Sequence, residues 1–174
     1  ELHRVLITAG LEEFESFFKE TEAASYTSKE GEKMTLSVRS NLAIQIKSLK
    51  YLNDQNKNFS LRQWVQNEEQ KNWLFITARP DQRETLKPLI SCWLEIAFNT
   101  VMSLSPDHQR RLWFIIDELP ALQHLPSLPL ALAELRKYGG CIMAGIQGMP
   151  QISDPFGNAG SPAILDLFNT FIFF

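Results

Sequence analysis

An α/β fold with a mostly parallel sheet, carrying a helical region on its N-terminal side, is what this 174-residue sequence predicts. Three observations lead there. Leu112-Trp113-Phe114-Ile115-Ile116 is an unbroken apolar run that ends on Asp117-Glu118, the pattern of a strand buried on both faces of a parallel sheet. Residues 141–146 form a second such run, ending on Gln147. Between them lies a helical stretch capped by Ser127, with Pro129 in its first turn, Arg136 and Lys137 in its last, and Gly139-Gly140 after it. Strands alternating with helices argue for crossover connections and parallel pairing.

The remaining elements follow in chain order. Residues 1–70 read as helical, with residues 4–8 as their one candidate strand. Leu11, Phe14, Phe17 and Phe18 recur at helical spacing, and after the polar residues 21–33 a longer helix aligns Val38, Leu42, Ile46, Leu49 and Leu52 on one face. Asn53-Asp54 ends it. Ser60 then caps a short helix, with Gln63 completing a capping box and Phe59 and Trp64 placed as a hydrophobic staple. The character changes near residues 67–72, dividing the chain into 1–70 and 71–174. Leu74-Phe75-Ile76-Thr77 is a short β run. Thr85 is positioned to cap a helix over residues 86–104 with Pro88 in its first turn, where a missing N–H costs little. Ser161-Pro162 starts a last helix to about Phe168, and residues 170–174 begin another strand. A chain that opens on Glu1 and closes on Phe171-Ile172-Phe173-Phe174 reads as a piece of a larger protein.

Composition bounds the function. With 44% hydrophobic and 21% charged residues there is material for a core. A net charge of −3 without charge blocks gives no bulk attraction for nucleic acid, so any such contact must be local or come from an assembly. Cys92 and Cys141, each in an apolar context, read as buried reduced thiols, and the three histidines form no ligand spacing. No apolar run reaches membrane-spanning length, and no signal-peptide pattern is expected within these residues.

The chemistry concentrates where the predicted strands end, since open α/β sheets bind ligands at that edge. One carboxylate to hold Mg²⁺ and a neighbour to position water is the Walker B arrangement of nucleotide-hydrolysing motors, and Asp117-Glu118 has that form. Solvated acids before a loop, with Pro120 as its turn residue, are the plain alternative. The usual partner loop G-x-x-x-x-G-K-[ST] is absent from the sequence. Gln147, at the end of the adjacent strand, either contacts a γ-phosphate or the lytic water or simply starts a loop. Arg136 is either a surface cation complementing a helix dipole or an arginine reaching a neighbouring subunit's nucleotide. Arg79 has the same two readings, with a solvated loop arginine the simpler one. The four tryptophans and Arg110-Arg111 read as core and as a solvated pair.

In order and spacing, the stretch from Arg111 to Leu119, then Leu122, Leu125 and Leu128, Arg136-Lys137-Tyr138-Gly139-Gly140 and Ala144-Gly145-Ile146-Gln147 resembles the motor domain of TraD-type coupling proteins of conjugation and type IV secretion. Trp73-Leu74-Phe75-Ile76-Thr77, Leu86-Lys87-Pro88-Leu89-Ile90 and Leu167-Phe168-Asn169-Thr170 are similar to flanking strands and helices of that domain. Residues 33–39 and the following helix resemble its all-α domain. The resemblance implies a partial RecA-like sheet flanked by helices in residues 71–174 and part of an inserted all-α domain in residues 1–70. It implies ATP and Mg²⁺ as cofactors, Asp117 as the metal-associated aspartate, Glu118 as the catalytic glutamate, Gln147 as the glutamine-motif residue that binds nucleotide, and Arg136 as the arginine acting across subunits. It further implies a membrane-anchored homo-hexamer on the cytoplasmic side of a bacterial inner membrane. DNA, relaxase or relaxosome proteins and type IV secretion channel components would be its partners. Gly148 stands where that family often has serine or threonine. A related ring-type DNA translocase or secretion ATPase, and a non-enzymatic interaction fragment, are the alternatives.

Overall fold

The computed structural model describes residues 2–26, 32–52, 59–67, 69, 71–123 and 125–173, so the expected helix stop at Asn53-Asp54 lies outside the described residues. The chain forms two compact units, residues 1–55 and 56–174.

The first unit is helical: α1 (Leu2–Ile7), α2 (Leu11–Phe18) and α3 (Glu32–Ile46), with a 3₁₀ turn continuing α3 over Lys47–Tyr51. The expected strand at residues 4–8 is therefore a helix. Adjacent strand residues face opposite ways, yet Val5 and Leu6 are both buried, and with Ala9 and Phe14 they form one cluster against Phe18 and Ile46. Sequence periodicity over so short a run does not distinguish the two states. The expected face of α3 is also displaced. Leu42 and Leu52 are exposed, whereas Thr35 and Ser48 are buried. Arg39 explains part of this. Its Nε donates to the Leu6 carbonyl at 3.0 Å, and its guanidinium lies 5.4 Å from the Phe14 ring centre. A cation thus satisfies a carbonyl at the end of α1 while covering the core aromatic.

The second unit begins with α4 (Leu61–Gln66), whose N-cap Ser60 accepts the Gln63 N–H at 3.3 Å. Phe59 is 57% exposed, so the expected staple against Trp64 gains little burial. Packing assigns α4 to this unit, against α5 (Arg83–Met102). α5 follows a 3₁₀ turn at Pro80–Gln82 and starts before Thr85, which is not its cap. Pro88 is the sixth residue of the helix, in its second turn. α5 buries Leu89, Ala97, Phe98 and Val101, and the Phe98 ring meets Phe114 edge-on at 4.9 Å. Ser91 Oγ accepts the Gln123 N–H and Glu95 Oε1 accepts the Ser127 N–H, each at 3.1 Å. These two bonds fasten the loop after the first strand to α5.

β1 (Leu112–Ile116) and β2 (Gly140–Ala144) pair in parallel, from Leu112 opposite Gly140 to Ile116 opposite Ala144. α6 (Leu128–Glu134) and a 3₁₀ turn at Leu135–Tyr138 join them. Ser127 precedes α6 as expected but makes no side-chain cap, and its Oγ is buried without a partner. Gly139, at φ +81°, turns the chain into β2, and a Cβ there would lie 2.5 Å from Arg110 Cβ. β2 stops at Ala144, two residues before the expected end. α7 (Ser153–Asp166) begins earlier than Ser161 and breaks at Gly157, φ +72°.

The sheet differs from expectation in its coverage. Leu112, Phe114 and Ile116 face the core, but Trp113 and Ile115 are more than half exposed, and so is Met143 of β2. Trp73 is 70% exposed as well, so neither it nor Trp113 is a core residue. Helices cover one sheet face among the described residues. The expected strands at residues 74–77 and 170–174 are irregular over their described residues. Their rings nevertheless stack in alternation, Trp73 on Phe75 at 6.1 Å and Phe171 on Phe173 at 6.3 Å. Side chains at i and i+2 on one side are the geometry of extended chain. A strand also needs a neighbour to take its N–H and C=O groups, and neither segment has one among the described residues.

Candidate functional site at the carboxyl edge of the sheet

Both chain segments leaving the carboxyl ends of the strands are held side by side by the backbone. The Gly145 N–H donates to the Ile116 carbonyl at 2.7 Å, and the Leu119 N–H donates to the Gly145 carbonyl at 2.9 Å. Gly145 permits this approach, because a Cβ would stand 2.1 Å from the Asp117 carbonyl oxygen. Leu119, 1% exposed, anchors the following turn in the core.

That arrangement sets three predicted residues on one edge. Asp117 is exposed immediately beyond β1. Glu118 is half-buried, and its Oε2 accepts the Gln147 side-chain amide at 2.6 Å. Its Oε1 is buried without a hydrogen-bond partner. Gln147 therefore meets Glu118 directly, a contact that strand register predicts only as neighbourhood. The Gln147 amide fixes the orientation of the carboxylate, and Oε1 is turned away from solvent.

The residues suit Mg²⁺ with a polyphosphate. Mg²⁺ takes hard oxygen ligands, keeps several waters and typically receives one or two protein carboxylates. Asp117 supplies one exposed carboxylate, and the described residues contain no cluster of three or more metal-ligating side chains. One exposed carboxylate is compatible with an ion that takes its other ligands from water or phosphate oxygens.

Arg136 is placed elsewhere. It lies exposed in the turn leading into β2, at the amino edge of the sheet. The length of β1, about 13 Å at 3.3 Å per residue, separates the two edges. There Arg136 lines a cavity of about 350 Å³ with His108, Arg111, Gly139 and Cys141. Sequence reading assigned no role to Arg111 or His108. The available signal was positional, since residues just before β1 and just before β2 must share an edge when the strands are parallel. Arg79 is engaged by Asp81 through two hydrogen bonds of 3.0 and 2.7 Å, leaving it the local role. Cys92 is exposed, contrary to expectation, and Cys141 is half-buried; both are free thiols.

Residues 1–174 match the family described as type IV secretion-system coupling protein DNA-binding domain. The coupling protein TraD of Escherichia coli (strain K12) is 37% identical over 175 residues, covering 97% of this chain and 24% of TraD. Among solved structures, the plasmid coupling protein TrwB in complex with ADP and Mg²⁺ superposes with a TM-score of 0.85 at 33% identity, over 96% of this chain and 40% of that one. TrwB with a non-hydrolysable ATP analogue gives 0.84 at the same identity and coverage. The chain spans about a quarter of the length of TraD and two fifths of the TrwB chains.

Proposed function

The chain belongs to the type IV secretion-system coupling protein DNA-binding domain family, and from that premise we propose that it works within a longer, ATP-driven coupling protein. That protein moves DNA, with its attached relaxase, from the relaxosome to a type IV secretion channel during conjugation. Residues 71–174 form the Walker B half of a RecA-like motor, and residues 1–70 part of its all-α domain. The phosphate-binding loop comes from outside this sequence. The working unit is a homo-hexamer at the cytoplasmic side of a bacterial inner membrane. Among the described residues of this chain, no helix is long and apolar enough to cross a membrane.

The observation that carries the reading is the Gln147–Glu118 hydrogen bond at the carboxyl edge, with one Glu118 oxygen left over. TrwB is described with ADP and Mg²⁺, and transfer of that ligand class to this chain gives each residue a task. Asp117 would hold Mg²⁺, directly or through water, and the bound ion would supply charge neutralisation at the phosphates. Glu118 accepts a proton from the attacking water at its carboxylate. Gln147 holds Glu118 in position and, when nucleotide is bound, reports the γ-phosphate to it. Arg136, too distant to serve its own edge, completes the site of a neighbouring subunit.

The test is Glu118→Gln in the longer protein. ATP binding persists, and turnover falls by about 10²- to 10⁴-fold, the usual contribution of a positioned general base. Undiminished hydrolysis would remove Glu118 from the role.

A further inference from the structure

The turn that carries Arg136 is tied down by the chain just before β1. Carbonyls at the end of a helical run lack partners within it and must find donors elsewhere. Here residues 105–112 supply them. The Asp107 N–H donates to the Lys137 carbonyl at 3.1 Å, and the Leu112 N–H donates to the Gly139 carbonyl at 2.9 Å. Between these two, Arg110 Nη1 donates to the Tyr138 carbonyl at 3.2 Å and reaches back to the Ser105 carbonyl at 3.3 Å. The three carbonyls that follow Arg136 are thus all engaged by one short segment, which is itself closed by the Gln109 N–H donating to the Asp107 carboxylate at 2.7 Å. Two of the three ties are backbone bonds; the third comes from the half-buried Arg110 side chain. A cation at the end of a helical run also suits the field of its carbonyls. Arg136 is exposed, so the backbone of its turn sets the point from which its side chain emerges.

We propose that Arg110 is a positioning residue for Arg136, pinning the turn at Leu135–Tyr138 so that the Arg136 guanidinium leaves the amino edge from a fixed place. The assignment rests on the role given to Arg136 above. A group that must meet phosphate oxygens on another copy tolerates little error in its own backbone, since misplacement by about 1 Å costs on the order of 10²-fold in rate. Arg110 joins Ser105 to Tyr138 through a single nitrogen, so a shorter or neutral side chain frees the turn from the loop without touching Arg136 itself.

A double-mutant cycle in the longer protein decides it. Arg110→Gln lowers kcat for ATP hydrolysis about tenfold with the ATP KM nearly unchanged, the mark of an interaction made only in the transition state. In an Arg136→Ala background the same substitution has little further effect, because two residues that act as a unit are not additive. A substitution that merely loosened the fold would lower turnover equally in both backgrounds. Full additivity, or a raised KM at unchanged kcat, overturns the assignment. Should Arg110→Gln fail to fold, Arg110→Lys enters the same cycle; it keeps a cation beside the turn and gives a smaller loss, again absent without Arg136, and an additive loss counts against the proposal. If Arg136→Ala lowers turnover while Arg110→Gln leaves it unchanged, the role of Arg136 stands and this inference falls. If Arg136→Ala leaves turnover intact, the role given to Arg136 itself fails.

Discussion

The two edges of the small parallel sheet carry opposite chemistry on one scaffold. At the carboxyl edge, two acids and an amide converge, and the Gln147–Glu118 hydrogen bond joins the ends of both strands. At the amino edge, Arg111, Arg136 and His108 surround an open cavity without a carboxylate in its lining. Under the motor reading proposed above, the first edge takes a metal-bound phosphate, whereas the second carries arginine and histidine side chains. Separation by the strand length keeps the cations from neutralising the acids.

Both edges rest on a common core, and that is where the comparison breaks most heavily. Phe98 is fully buried and packs against Phe114 of β1. Phe98→Ala costs about 3–5 kcal/mol, read by chemical denaturation, and weakens both edges together. Gly145→Ala acts on one edge. Its methyl meets the Asp117 carbonyl, a backbone atom with little freedom to move, at a cost of about 1–3 kcal/mol for overpacking. Its NMR signature is a displaced Gln147 side-chain amide with unchanged Arg111 and Arg136 Nε–H signals. Disturbance of both edges to the same degree would show that they are not independent.

Gln147→Ala is milder, because the bond it removes lies at an exposed position. Stability falls by about 1 kcal/mol, measured as a shift in denaturation midpoint at constant slope. The smallest effect sharpens the amino edge. The Gln109 backbone N–H donates to Asp107 and lowers its carboxyl pKa, with Arg110 and His108 adding to the effect. A carboxyl group lowered in the folded state contributes stability above its unfolded pKa, and this is lost as pH falls through the folded value. Asp107→Asn therefore makes the unfolding midpoint less sensitive to pH on the acid side of the ordinary aspartate range. The stability lost in Asp107→Asn is greatest at neutral pH, where the contribution is complete, and fades as pH falls.

Much of the site was legible because its determinants are local. β1, α6 with its glycine end, and β2 follow from apolar runs and their punctuation. Parallel pairing then brings Gln147 beside Asp117 and Glu118. What escaped depends on neighbours that a linear pattern does not name. Trp113 and Ile115 read as core, yet their exposure depends on which sheet face the helices cover. Residues 74–77 have strand composition but lack a pairing neighbour among the described residues. Val5-Leu6 fits either period until α3 supplies the surface that selects a helix. The need for glycine at 145 comes from the approach of the Asp117 backbone, which no spacing rule encodes. Arg111 read as a solvated cation because its companion Arg136 is 25 positions away, and only the parallel register puts the two on one edge.

The central claim is that the carboxyl edge faces a Mg²⁺-bound triphosphate. A crystal structure of the longer protein with Mg²⁺ and a non-hydrolysable ATP analogue tests it most directly. The account predicts Mg²⁺ bound to Asp117 directly or through one water, with Glu118 and Gln147 facing the γ-phosphate. Nucleotide bound away from that edge, with Asp117 and Glu118 open to bulk solvent, would contradict it.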